Sequence, residues 1–250
     1  MDADLYDALA GPPPPLAVPG RALAVGAHPD DVEFGAGATL ARWAAAGCTV
    51  TLAVVTDGAK GSWDPGQDPA ELAARRAAEQ AAAAETLGVA EVVRLEYPDG
   101  ELEPSLELRA AVCRLVRRHR PDVLLSHDPW ERYQLHPDHR ATGFAAVDGV
   151  VAARDPLFFP EQELPAHRPA AILLWSADEP DHAEPASAAF LERKVAALLC
   201  HTSQGTTTMG GAERDEAAAT TFRRRVREWA RACGERLGTG PAEVFKRLTP

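Results

Sequence analysis

The sequence predicts an α/β fold: a Rossmann-like, mostly parallel sheet flanked by helices in a single domain. Three observations carry that prediction. Short apolar runs alternate with longer helical segments, which is the pattern of βαβ units with right-handed crossovers. The run Val123-Leu124-Leu125 is apolar at every position, as a parallel strand buried on both faces requires. Neither an internal repeat nor a composition shift divides the chain, whose 250 residues, 46% hydrophobic and 25% charged, suffice for one sizeable core.

Taken in order, residues 1–20 begin with acidic residues and contain Pro12-Pro13-Pro14-Pro15, which suits neither a ladder nor a helix interior. They are expected to form a flexible Pro-rich arm ahead of a domain spanning 21–250. Ala22 to Ala27 is the first strand, and Ala36 to Ala46 a small-residue helix closed by Gly47. Thr49 to Thr56, rich in Val and Thr, is the second strand, followed by a Gly- and Pro-containing loop over Asp57 to Pro69. Pro69 to Leu87 reads as a long Ala-rich helix closed by Gly88, and Glu91 to Leu95 as the third strand. A helix over Ser105 to His119 is stopped by Pro121, and Asp122 to Ser126 is the fourth strand. A polar loop, His127 to Gln134, leads to a helix from about Pro137 to Ala153. Ala171 to Trp175 is then a strand, Ala188 to Leu199 a helix, Gly205 to Gly211 a loop, and Ala218 to Leu237 the last long helix.

The formal charge of −11 argues against a nucleic-acid partner, because phosphate binding needs a concentrated basic face. Arg223, Arg224, Arg225, Arg227 and Arg231 cluster, but among acidic neighbours on a helical stretch, as a solvated face does. No apolar run approaches membrane-spanning length and the opening residues lack a signal-peptide pattern, so no membrane partner and a cytoplasmic location are expected. Cys48, Cys113, Cys200 and Cys233 are scattered in apolar surroundings and are expected to be reduced, buried thiols. Apolar helix surface would support a homo-oligomer, with no symmetry fixed.

Two segments concentrate the chemistry. His28-Pro29-Asp30-Asp31 follows the first strand, and His136-Pro137-Asp138-His139 lies a few residues beyond the fourth. In a parallel sheet both emerge at the same edge, where ligands collect, so their side chains can converge into a metal site. Two imidazoles and a carboxylate with an open fourth position favour zinc, and a metal of this kind makes water nucleophilic near neutral pH. The remaining carboxylate would then serve as general base. The plainer alternative makes the aspartates helix N-terminal anions and the histidines caps or core residues. Two His-Pro-Asp segments at two strand ends weigh against it.

The pattern resembles the LmbE-like deacetylases, the family that includes the N-acetylglucosaminyl-phosphatidylinositol (PIG-L) deacetylases and bacterial thiol-sugar deacetylases. Ala27-His28-Pro29-Asp30-Asp31 with Glu33-Phe34-Gly35, and His136-Pro137-Asp138-His139, carry the resemblance. Thr56-Asp57-Gly58, Arg76-x-x-Glu79, Pro98-Asp99-Gly100, Lys194, His201-x-Ser203-Gln204 and Ala242-Glu243-x-Phe245 add weaker support. The resemblance implies Zn2+ held by His28, Asp31 and His139, with Asp30 as the base. It implies further that His136 stabilises the oxyanion or protonates the leaving amine, and that Asp138 orients it. The reaction implied is removal of an acyl group, typically acetyl, from a small-molecule N-acyl amino sugar. Some thiol-sugar members carry a tyrosine where this chain has Gln134, with Tyr133 beside it. Trp130 to Tyr133 would suit either a sugar-binding wall or a plain loop, and Arg76 is expected to pair with Glu79. Two alternatives stand beside this reading. One is an amidase acting on a larger thiol-sugar conjugate or antibiotic-type amide. The other is a non-catalytic ligand-binding module, disfavoured because no glycine-rich phosphate loop follows the first strand.

Overall fold

The computed structural model describes residues 14–212 and 215–250. Its strands are β1 (Arg21–Gly26), β2 (Thr49–Thr56), β3 (Glu91–Tyr97), β4 (Val123–His127), β5 (Ala171–Trp175), β6 (His182–Pro185) and β7 (Ala242–Leu248). Its helices are α1 (Asp31–Ala45), α2 (Pro69–Leu87), α3 (Leu106–His119), α4 (Pro137–Arg154), α5 (Ala188–Cys200) and α6 (Glu216–Arg236). The described strands form one sheet in the order β3-β2-β1-β4-β5-β7-β6. β1 to β5 are parallel, while β7 runs antiparallel to both β5 and β6.

Period-two alternation along the strands builds two cores. Leu23, Val25 and Leu124 face Val112 and Val116 of α3 and Ala145 and Val150 of α4. Ala24, Leu52 and Leu125 face Val32, Leu40 and the fully buried Trp43 of α1. Because both faces are covered, the central strands lack the polar alternation of a half-exposed sheet. α2 and α5 pack outside α1 through Ala41, Ala83, Leu87 and Ala197, giving that side a further layer of helix.

Helix ends obey local chemistry. Asp68 accepts from Glu71 N at 2.9 Å ahead of Pro69, and Ser105 accepts from Leu108 N at 3.1 Å.

Three expectations change. α1 begins at Asp31 rather than Ala36. Gly35 and Gly37 lower helix propensity, but their bare Cα atoms admit Trp175 and Lys194: a Cβ at Gly35 would lie 2.4 Å from the Trp175 ring. β6 and β7 had no counterpart in the pattern, since β6 is short and ends in proline, while β7 carries the buried Glu243 that pairs with Lys194 at 2.7 Å. Of the expected arm, residues 1–13 lie outside the described residues, whereas Leu16 packs on the α1-side core and its N–H donates to Glu184 at 2.9 Å. Among the described residues no disulfide forms and no helix is long and apolar enough to cross a membrane.

Candidate metal and active site

The sheet order reverses between β1 and β4: β2 and β3 extend it on one side, and β4 and β5 on the other. Loops leaving two such neighbours part from each other and open a crevice at the carboxyl ends of the strands. Both His-Pro-Asp segments line it. The first leaves β1, and the second starts α4, where His136 is the N-cap and Pro137 holds the first helical position.

His28 is 7% exposed. Its Nε2 lies 3.2 Å from Asp99 Oδ1 and 3.1 Å from Asp138 Oδ2, and its Nδ1 lies 3.3 Å from Asp31 Oδ2. Burial works against the imidazolium, but hydrogen bonds to Asp138, Asp31 and Asp99 prevail and push its pKa up to about 12. Asp31 reaches two further rings, His139 Nε2 at 3.3 Å and His127 Nε2 at 3.2 Å. Burial opposes its ionisation, yet His139 and His127 hold it well below the usual carboxylate range.

Asp30 is placed differently. It precedes α1 with φ 101°, in the left-handed region that costs a non-glycine residue strain. Its N–H donates to Gln80 at 3.2 Å, and its Oδ1 lies 3.8 Å from Arg76 Nη2. Its Oδ2 is buried and has no hydrogen-bond partner among the described residues. Burial first, and the Asp31 charge second, push its carboxyl up to about 7, against the opposing pull of Arg76 and His201.

Arg76 does not pair with Glu79. It donates to Pro29 O at 2.6 Å and Gly58 O at 3.0 Å, tying the loops after β1 and β2 together. Arg75, one position round the helix, pairs with Glu79 at 3.1 Å through i, i+4 spacing, while Arg76 points to the crevice. Glu79 also accepts from Ser203 N at 2.9 Å.

Asp138 does not point its carboxylate at His136. It accepts from Gly100 N at 2.7 Å and Leu102 N at 3.1 Å and meets His28, binding the loop after β3 to α4. Only its backbone touches His136: the Asp138 N–H donates to His136 Nδ1 at 3.3 Å. In the neutral ring that contact leaves the proton on Nε2. Burial, with His28 and His139 close by, depresses the pKa of His136. Gln134 Oε1 accepts from His136 N at 3.0 Å, so this side chain props the second motif, while Tyr133 stands 86% exposed. Trp130 is also exposed and packs edge-to-face on Phe144.

Three groups bring donor atoms within 4.8 Å of one another: His28, His136 and His139; Asp31, His127 and His139; and His28, Asp99 and Asp138. The expected ligands His28, Asp31 and His139 are spread over these groups, with Asp31 3.3 Å from each of the two rings. The donors are imidazole nitrogen and carboxylate oxygen. Asp30, Asp31, Asp99 and Asp138 converge, with Arg76 a fixed cation beside Asp30 and one carboxylate oxygen orphaned, so a divalent cation fits.

His127 and Asp99 were not singled out for this site. His127 closes β4 and stacks on His139 with ring centroids 4.2 Å apart, and Trp175 Nε1–H donates to its Nδ1 at 3.1 Å. A histidine two residues past the apolar run Val123 to Leu125 was a usable signal. Asp99 sits in the Pro98-Asp99-Gly100 loop, but only the sheet brings that loop beside His28.

Residues 23–150 match the family described as PIG-L: GlcNAc-PI de-N-acetylase. The chain belongs to this family. The diacetylchitobiose deacetylase of Thermococcus kodakarensis is 37% identical over 138 residues, covering 55% of this chain and 52% of that protein. A 1D-myo-inositol 2-acetamido-2-deoxy-alpha-D-glucopyranoside deacetylase of Kineococcus radiotolerans is 36% identical over 169 residues, covering 55% and 46%. The chain thus spans about half the length of the curated relatives it matches. Among solved structures, the N,N'-diacetylchitobiose deacetylase of Pyrococcus horikoshii superposes with a TM-score of 0.82 at 29% identity, over 92% of this chain and 84% of that one. The conserved protein TT1542 of Thermus thermophilus gives 0.72 at 29% identity, over 90% and 93%.

Proposed function

We propose that this PIG-L family chain is a zinc-dependent hydrolase that removes an acyl group, acetyl in the simplest case, from an N-acylated amino sugar. The observation that carries the reading is the orphaned, buried Oδ2 of Asp30, whose pKa is pushed up to about 7, beside Asp31, His28 and His139. His28, Asp31 and His139 would hold the metal, which when bound supplies Lewis-acid polarisation of a carbonyl and of water.

The chain's own groups then divide the work. Asp30, buried beside Asp31 with one oxygen free of hydrogen-bond partners among the described residues, takes a proton from the attacking water as general base. Arg76 and Gln80 hold the carboxylate in its strained backbone position. His136, its Nδ1 occupied by the Asp138 N–H, presents Nε2–H to the oxygen on which negative charge develops. The amide C–N bond breaks, the leaving nitrogen takes a proton, and the products are a carboxylate and a free amine.

The test pairs elemental analysis with amine release from N-acetylglucosamine and its glycosides. About one zinc per chain, with release abolished by chelator, is expected. Asp30→Ala should keep the metal and lose about 10²- to 10⁴-fold in kcat, whereas His139→Ala should lose metal affinity. Equal metal loss in both variants would refute the division of roles.

A further inference from the structure

Two hollows meet at the site, and both include Asp30, Asp31 and His139. One, of about 400 Å³, is lined by hydrogen-bonding groups that include Lys60, Ser62, Asp99, His136 and Gln204. The other, of about 550 Å³, is lined by Phe34, Trp175, Met209, Phe222, Val226 and Trp229 together with the cationic Lys194 and Arg225. Its wall is ordered by packing: Phe34 and Phe222 meet edge-to-face at 6.4 Å, and Met209 is buried with Val195 and Leu198. Trp175 is held by its hydrogen bond to His127.

We propose that the second hollow is an acyl-chain subsite, and that the protein takes N-acyl amino sugars whose acyl group is a medium-length aliphatic chain. This rests on the deacylase reading above and deepens it. Asp30, Asp31 and His139, assigned to the base and the metal beside the scissile amide, line both hollows, so the amide's two substituents can be housed one in each. The sugar hydroxyls require donors and acceptors and occupy the polar hollow. The acyl carbon chain is thereby directed onto the apolar wall. Phe34 and Trp229, 37% and 69% exposed, are the part of that wall an acetyl methyl would leave against water, and a longer chain covers them. The bond changes are those of the short substrate: water adds to the carbonyl carbon, the C–N bond breaks, the nitrogen gains a proton, and a fatty carboxylate departs in place of acetate.

The wall was illegible in the sequence because its residues come from α1, β5, the segment before α6, and α6 itself.

The test compares kcat/KM of the zinc-loaded protein on N-acetyl-, N-butanoyl- and N-hexanoylglucosamine, with hexanoate and acetate titrated against intrinsic tryptophan fluorescence. Each buried methylene is worth about fourfold. The hexanoyl substrate is therefore expected to exceed the acetyl one by at least about tenfold, and hexanoate to bind where acetate does not. Val226→Trp, which fills the hollow, should collapse the hexanoyl-to-acetyl ratio toward one. Acetyl turnover that falls as the chain lengthens would overturn the subsite while leaving the deacylase reading intact. Absence of turnover on every substrate would overturn the deacylase reading, and the fluorescence titration would still decide the hollow. Sedimentation showing a dimer, with no preference for hexanoate over acetate, would assign the apolar wall to a second copy of the chain and overturn the proposal.

Discussion

Replacing Asp30 by asparagine should stabilise the metal-free protein at alkaline pH while it removes the proposed base. The carboxyl is 4% exposed and its pKa is pushed from 3.8 up to about 7, chiefly by burial and the Asp31 charge. A group raised in this way contributes stability that is fully present below its unfolded value and is lost as pH rises through the folded one. At 1.36 kcal/mol per unit, the folded protein above pH 7 carries a penalty of about 4 kcal/mol for the Asp30 carboxylate. Asparagine removes the charge and suits φ 101° as well as aspartate does, but it leaves a buried amide unsatisfied at a cost of about 1–3 kcal/mol. The net gain is about 1–3 kcal/mol at pH 8 and turns into a loss of about 1–3 kcal/mol by pH 4, where the charge penalty has gone and the amide cost remains. Urea unfolding of chelated wild-type and Asp30→Asn protein at several pH values measures it directly. A variant less stable than wild type at pH 8, or a difference that does not change between pH 4 and pH 8, would refute the strained, charge-penalised description of Asp30.

The remaining predictions concern the frame around it. Asp138→Ala should cost about 3–5 kcal/mol in denaturant unfolding, because it leaves two backbone N–H groups and a buried imidazole without their acceptor; a loss below about 1 kcal/mol would show that the Asp138 carboxylate does not join β3 to α4. Gly35→Ala should cost about 1–3 kcal/mol and weaken zinc binding, since the added Cβ would lie 2.4 Å from Trp175, whose indole holds His127 against Asp31; unaltered zinc affinity by competition titration would break that connection. With its pKa at about 12, His28 contributes stability fully present below 6.5 and lost as pH rises through about 12, and the low pKa of Asp31 contributes stability lost on strong acidification. NMR titration of the chelated protein should accordingly show His28 still protonated at pH 9.

The alternating pattern of the sequence was enough for the class of fold and for the strands that carry the motifs. Local forces act there: the Val- and Leu-rich runs of β1, β2, β4 and β5 read as buried strands, and Pro69, Gly88 and Pro121 punctuate helices through backbone geometry. The two His-Pro-Asp segments were likewise legible, because each lies next to a recognisable strand or helix start. What the pattern did not contain was anything set by pairing across the chain. β7 becomes a strand because β5 and β6 flank it, and Glu243 can be buried there only because Lys194 reaches it from α5. α1 starts early because Trp175 and Lys194 occupy the space its glycines leave. The Asp138 carboxylate turned from its neighbour His136 to His28, more than a hundred residues away, and Arg76 left Glu79 for the loops after β1 and β2. A side chain's nearest partner along the chain competes with every group the sheet brings beside it. Sequence alone therefore determined that two His-Pro-Asp segments follow buried strands, and tertiary structure decided which groups meet them, His127 and Asp99 included, because a crevice between β1 and β4 exists only once the strand order is set.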